Sequence, residues 1–221
     1  MLPALTHADA FLHGRGAFDP ARPAERPWWW LPVMIAAFAA LYGVLMGSFR
    51  LDDPSRLLQV LYSAVKMPLL LLATSGLCLP GFFVLTTIVG LRDDLRESLQ
   101  AILAGQAGLS IALASLGPLT RLWYFSTTSY RAALLFNAAV FLVATLAGHL
   151  VTLRYYRVLI RRNPRHRIIL LAWLALYAFV GIQMGWTMRP FVGAPGMAVT
   201  FFRQEAFSNA YVVVFELVFG A

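Results

Sequence analysis

Cysteine, acidic side chains and charge in general are what this chain of 221 residues is short of: it has one Cys and ten Asp or Glu. Cys78 alone can build no disulfide, CxxC pair or iron-sulfur ligand set within the chain, and inside an apolar run it reads as a small packing residue. Charged residues amount to 13%, against about a quarter in ordinary soluble domains. With 60% hydrophobic residues and a mean hydropathy of +0.70, too little polar surface exists to coat a core in water. Lipid is the expected solvent. Also missing are a phosphate-binding glycine loop, a paired acid and base, and a nucleophile with its base and orienting group. These absences argue against an enzyme, and no cofactor is expected. The net charge of +8 is not arranged as a basic stripe interleaved with aromatics on a soluble face, so no nucleic-acid partner is expected either.

What the chain does have is long uncharged runs and one dense basic stretch. Residues 154–167, RYYRVLIRRNPRHR, place Arg154, Arg157, Arg161, Arg162, Arg165 and Arg167 between two apolar runs. Such a cluster fixes orientation, favours the cytoplasmic side and attracts anionic head groups or a protein partner. The expected fold is all-α: a polytopic transmembrane helical bundle with five to six spans and a short interfacial amphipathic helix. A polar arm, 1–27, precedes a single transmembrane domain, 28–221. The spans fall at about 31–49, 67–90, 101–117, 131–152 and 168–188. The run 206–221 is either a sixth crossing or a segment lying partly in the membrane.

The arm is mixed in charge and reads as carrying no cleavable signal, and its His7 and His13 read as solvated residues, since metal sites need more ligands at closer spacing. Trp28, Trp29 and Trp30 mark an interface. Residues 50–66 read as a mixed-charge connection containing Pro54. Pro80 and Gly81 should kink the second span or break it in two, and a broken helix could line an ion site. The segment LRDDLRESLQ is amphipathic, with Leu91, Leu95 and Leu99 on one face. Its Asp93, Asp94 and Glu97, beside arginines, read as a solvated face and not a cation site. Pro118 should end the third helix. Trp123, Tyr124 and Tyr130 form a second aromatic belt, and the Ser126–Ser129 hydroxyls read as helix caps.

The fourth span is the most informative. At 100° per residue, Asn137, Thr145, Gly148, His149, Thr152 and Arg131 share one third of the circumference. Polar groups facing lipid would lose hydrogen bonds, so this face must point into the bundle or a wet cavity. It is a ligand or proton site around Asn137 and His149, or else an interhelical hydrogen-bond seam, and the seam is the favoured reading. In the fifth span Trp173, Tyr177, Gly181 and Gly185 follow at i+4, while Gln183 points the other way and is a candidate partner for the polar face. Glu216, the one acid within an apolar run, completes the candidate polar intramembrane set of Asn137, His149, Gln183 and Glu216. Small-residue faces including Gly43 and Gly47, Gly105 and Gly108, and Gly181 and Gly185 suit close helix packing, within a subunit or between subunits.

With six crossings and the N-terminus inside, the inner segments hold eleven Lys or Arg and the outer ones seven. The positive-inside rule thus predicts cytoplasmic termini in a bacterial inner membrane. The arm leading into WWWLPVMIAAFAALYGVL, the charged segment LRDDLRESLQAILAG and the ending ASLGPL together resemble the Yip1-type family of five-helix membrane proteins over about residues 26–118. That resemblance implies a non-enzymatic role in trafficking, shaping or organising membranes, and carries no functional residue with it. The expected function is a non-enzymatic scaffold, membrane organiser or accessory subunit of a membrane complex, with lipids, further copies or other membrane proteins as partners. The alternative is a channel or transporter for a small solute or proton.

Overall fold

The computed structural model describes residues 29–50, 56–194 and 196–203. The arm 1–27, Trp28, Pro54, Glu216 and the run 206–221 lie outside the described residues. Five helices carry the chain: α1 (Trp30–Gly47), α2 (Leu57–Ile88), α3 (Leu95–Ser126), α4 (Tyr130–Arg162) and α5 (His166–Thr187). No strand occurs among the described residues. Each helix is long and apolar enough to cross a membrane, and the molecule is an integral membrane protein with an all-helical fold.

Several helices outrun their apolar runs. α2 starts at Leu57, so most of the supposed connection 50–66 is helical. Its polar residues Arg56, Gln59, Ser63 and Lys66 are spaced 3, 4 and 3 apart, which places them on one helical face and lets the helix continue with that face occupied. α2 runs unbroken through Pro68 and Pro80, so it is not split in two there. α3 likewise passes through Pro118 and ends only at Ser126. A proline costs one backbone hydrogen bond, and packing against neighbours lets membrane helices carry it. The charged segment forms a one-turn 3-10 helix (Arg92–Asp94) that leads directly into α3. α4 reaches Arg162, so the basic stretch is mostly helix, with only 163–165 turning the chain. Cationic side chains in a last helical turn sit well against the negative end of the helix dipole. Ser129 caps the start of α4, its Oγ accepting from the Ala132 N–H at 3.3 Å.

The packing is uneven. α1 lies against α2 and α3, α4 against α3, and α5 against α2, while the consecutive helices α4 and α5 touch little. Gly43 and Gly47 seat α1 on α2: a Cβ at either would collide with Ser63 or its neighbours. Gly105 and Gly108 do the same for the α3–α4 crossing, where a Cβ would strike Thr152 and Val151, and Gly148 meets Leu109 from the other side. Two of the predicted small-residue faces are therefore used within the chain. Gly185 is different, because an added Cβ there would meet nothing within 4 Å.

Candidate functional site: an intramembrane cavity

The polar face of α4 and the Trp173–Gly185 face of α5 look at each other across a cavity of about 460 Å³. Asn137, Thr145, Gly148, His149 and Thr152 line it from α4, and Trp173, Tyr177, Gly181 and Gly185 from α5. α2 contributes Leu70, Leu71 and Thr74, and α3 contributes Gly105, Gln106 and Leu109. The helix periodicity that put the α4 residues on one face thus puts them on one wall. Arg131, predicted on the same face, is exposed and does not line the cavity. Nor does Gln183; its backbone carbonyl accepts from the Thr187 hydroxyl at 2.9 Å.

The polar groups of this cavity fall into two kinds. Asn137 is saturated: Oδ1 accepts from the Tyr42 hydroxyl at 2.8 Å, and Nδ2 donates to the Tyr124 hydroxyl and to Ala133 O, both at 2.7 Å. Tyr124 in turn donates to Met46 O at 3.1 Å, so the residue predicted for an interfacial belt is buried in a seam joining α1, α3 and α4. His149 Nδ1 sits 2.7 Å from Thr145 O. A carbonyl only accepts, so Nδ1 carries the proton and Nε2 is left as an acceptor in the neutral ring. At the middle of the cavity the Tyr177 hydroxyl donates to Gln106 Oε1 at 2.9 Å. Thr74 is 1% exposed and its hydroxyl has no hydrogen-bond partner.

One end of the cavity is closed by Phe191, from the segment that follows α5. The polar face of α2 holds that segment through its backbone carbonyls. Lys66, the chain's single lysine, donates to Pro190 O at 2.9 Å, and its ammonium lies 4.8 Å from the Phe201 ring centroid. Gln59 donates to Pro190 O and Phe191 O at 3.3 and 3.1 Å, Ser63 donates to Phe191 O, and Arg56 reaches Gly193 O and Ala194 O. Lys66 is fully buried, yet three neighbours on one helix face share the work of satisfying the segment. Sequence reasoning missed this clamp, although its heptad spacing was there to be seen in Arg56, Gln59, Ser63 and Lys66. It also passed over Gln106, a polar residue within the apolar run of α3, and Thr74, which stands beside Ser75 in that of α2.

At the opposite end all six arginines of the basic stretch are exposed. Arg162 pairs with Glu97 at 2.7 Å, and the buried His166 places Nε2 3.0 Å from Asp94 Oδ2. Asp94 and Glu97 therefore brace the α4–α5 turn. Among the described residues no three His, Cys, Asp or Glu side chains gather as a metal site. Comparisons with protein-family models, with curated proteins and with solved structures found no match.

Proposed function

We propose that the protein is a non-enzymatic integral membrane component that holds another membrane constituent, as a scaffold, organiser or accessory subunit, and that the α4–α5 cavity is where it does so. One observation carries this reading: two consecutive spans stand apart around an apolar-walled cavity while the rest of the bundle is closed by glycine contacts. The Yip1-type layout of residues 26–118 supports the same class. The exposed arginines at the α4–α5 turn support a cytoplasmic end against anionic head groups of a bacterial inner membrane. Extraction in mild detergent, followed by size analysis and mass spectrometry, tests the proposal. A homo-oligomer, a defined membrane partner or a retained lipid is the expected result, and a monomer stripped of all three overturns it.

The α4 wall favours one second reading, passage of a small solute or proton, because Thr145, His149 and Thr152 line a single cavity. In proteoliposomes a His149→Leu variant would then lose flux. Equal flux for variant, parent and empty vesicles removes that reading.

A further inference from the structure

Two polar groups on the cavity wall stay open where their neighbours are satisfied. Asn137 and Thr152 have their hydrogen bonds. Gln106 is held by Tyr177 through Oε1, and its Nε2 has no hydrogen-bond partner among the described residues. The His149 ring is fixed through Nδ1 on Thr145 O, and its Nε2 is likewise without a partner among them. Both residues line the cavity, and Gln106 is only 7% exposed. The unpartnered groups of Thr74, Ser98 and Gln100 are sealed inside the protein, whereas these two nitrogens keep accessible surface.

The α3–α4 crossing explains why the two come together. The helices run antiparallel and meet backbone to backbone: a Cβ on Gly105 would lie 3.1 Å from Gly148 O, and one on Gly148 would lie 2.9 Å from Gly105 O. The next residue on each helix is turned 100° from that contact. Because the helices run in opposite directions, both turns lead to the same side of the crossing, and that side is the cavity. Gln106 thus offers a donor and neutral His149 an acceptor from adjoining walls. A hydroxyl answers both, since it accepts and donates, whereas a carbonyl or an ether only accepts.

Depth and charge narrow the ligand further. Gln106 and Tyr177 each stand ten residues inward of an exposed arginine, Arg96 and Arg167, about 15 Å along the helix axis. That is half of a hydrocarbon core of about 30 Å, so a phospholipid head group held at the interface does not reach them. Among the described residues no Asp, Glu, Lys or Arg lines the cavity, so a charged group would find no counter-ion there. The rim includes Leu134 and Ile182, 42% and 56% exposed, which opens the cavity sideways between α4 and α5 to the apolar surroundings. A ligand can therefore enter from the bilayer without crossing water.

We infer that the cavity binds an uncharged lipid alcohol, its hydroxyl bridging Gln106 Nε2 and His149 Nε2 and its apolar chain lying along α4 and α5. This rests on the proposal that the cavity is a holding site and names what is held. The volume lies within the range of small-molecule sites, about 300–1,000 Å³.

The test compares farnesol, which donates and accepts, with farnesyl methyl ether, which only accepts, and farnesene, which does neither. The full-length protein in phosphatidylcholine nanodiscs is equilibrated with each at equal mole fraction in the bilayer and released for native mass spectrometry. Farnesol should give a one-to-one adduct bound about fivefold more tightly than the ether, and the ether about fivefold more tightly than farnesene, each step being the net worth of one neutral hydrogen bond. His149→Phe keeps a ring and removes the acceptor, so farnesol should fall to the level of the ether while the other two stay unchanged. Gln106→Leu should weaken farnesol and the ether but not farnesene; it also takes the acceptor from the Tyr177 hydroxyl, so His149→Phe is the deciding variant. Gly185→Leu, which fills the cavity, should abolish all three adducts. Farnesol bound no more tightly than its ether, or unchanged by His149→Phe, overturns the inference and leaves the holding-site proposal standing. If no probe binds, but a disulfide forms from Ile182→Cys in a Cys78→Ala background to a second copy of the chain, the inference also fails and the seam is a protein contact. If no probe binds and no such contact forms, both fall.

Discussion

The α3–α4 and α4–α5 seams are built from the same kinds of residue and end in opposite states. Each has a pair of small residues one turn apart, Gly105 and Gly108 in the first and Gly181 and Gly185 in the second. In the first, the missing side chains let backbones meet, with Gly105 against Gly148 O and Thr152. In the second they leave a cavity. The difference lies across the seam: Gly148 and Val151 offer small or compact contacts to α3, whereas on α5 Trp173 packs against Phe82 of α2 and the Tyr177 hydroxyl reaches Gln106 of α3. A small-residue stripe permits close approach, and its neighbours decide whether approach happens.

Substituting the glycines should therefore separate the two seams. The largest effect is expected for Gly105→Leu, where the new side chain must displace Thr152 and the Gly148 backbone. Overpacking a closed seam costs about 1–3 kcal/mol and more where backbone must move. Thermal unfolding in detergent should show a drop of several degrees or loss of the folded protein; an unchanged midpoint would mean the seam is not closed.

Next comes Asn137→Leu, which takes the acceptor from the Tyr42 hydroxyl in the buried seam of α1, α3 and α4, and the donor from the Tyr124 hydroxyl, which keeps its bond to Met46 O. Orphaned buried groups cost about 1–3 kcal/mol. The same measurement should place this variant between Gly105→Leu and the parent. Because Asn137 stands on the cavity wall as well as in the closed seam, its loss should weaken both regions.

Lys66→Met acts at the end of the cavity. Removing a charged donor to Pro190 O costs about 1.5–3 kcal/mol in general, and here Gln59 also donates to that carbonyl, so the lower end is expected. The effect should be local. Hydrogen exchange should rise in 188–194 and stay unchanged at the α3–α4 seam, and uniform loss of protection would mean the clamp stabilises the whole bundle.

The five described helices and the wall-forming faces of α4 and α5 were legible because periodicity survives in lipid as in water. Their ends were not. Pro80 and Pro118 suggested breaks that neighbouring helices suppress, and the polar residues 56–66 suggested a loop because a heptad stripe inside a helix has the same composition as one. The cavity itself could not be read, since whether Gly185 is filled depends on which helix stands opposite. Asn137 and His149 were legible as a shared face. Gln106 was not, because what marks it is the bond that Tyr177 makes to it from another helix.

The smallest effect is expected at Gly185, and it should have the opposite sign. An added Cβ there meets nothing within 4 Å, and the residue lies within α5, where a glycine costs about 1 kcal/mol relative to a good helix former. Gly185→Leu should thus stabilise the folded protein by up to about 1 kcal/mol, raising the unfolding midpoint by a few degrees, while Gly105→Leu lowers it. The two variants carry the same chemical change, so their opposite signs measure the space across each seam and nothing else. If Gly185→Leu destabilises as well, α4 and α5 close upon one another in the membrane, and the cavity is the part of the comparison that fails.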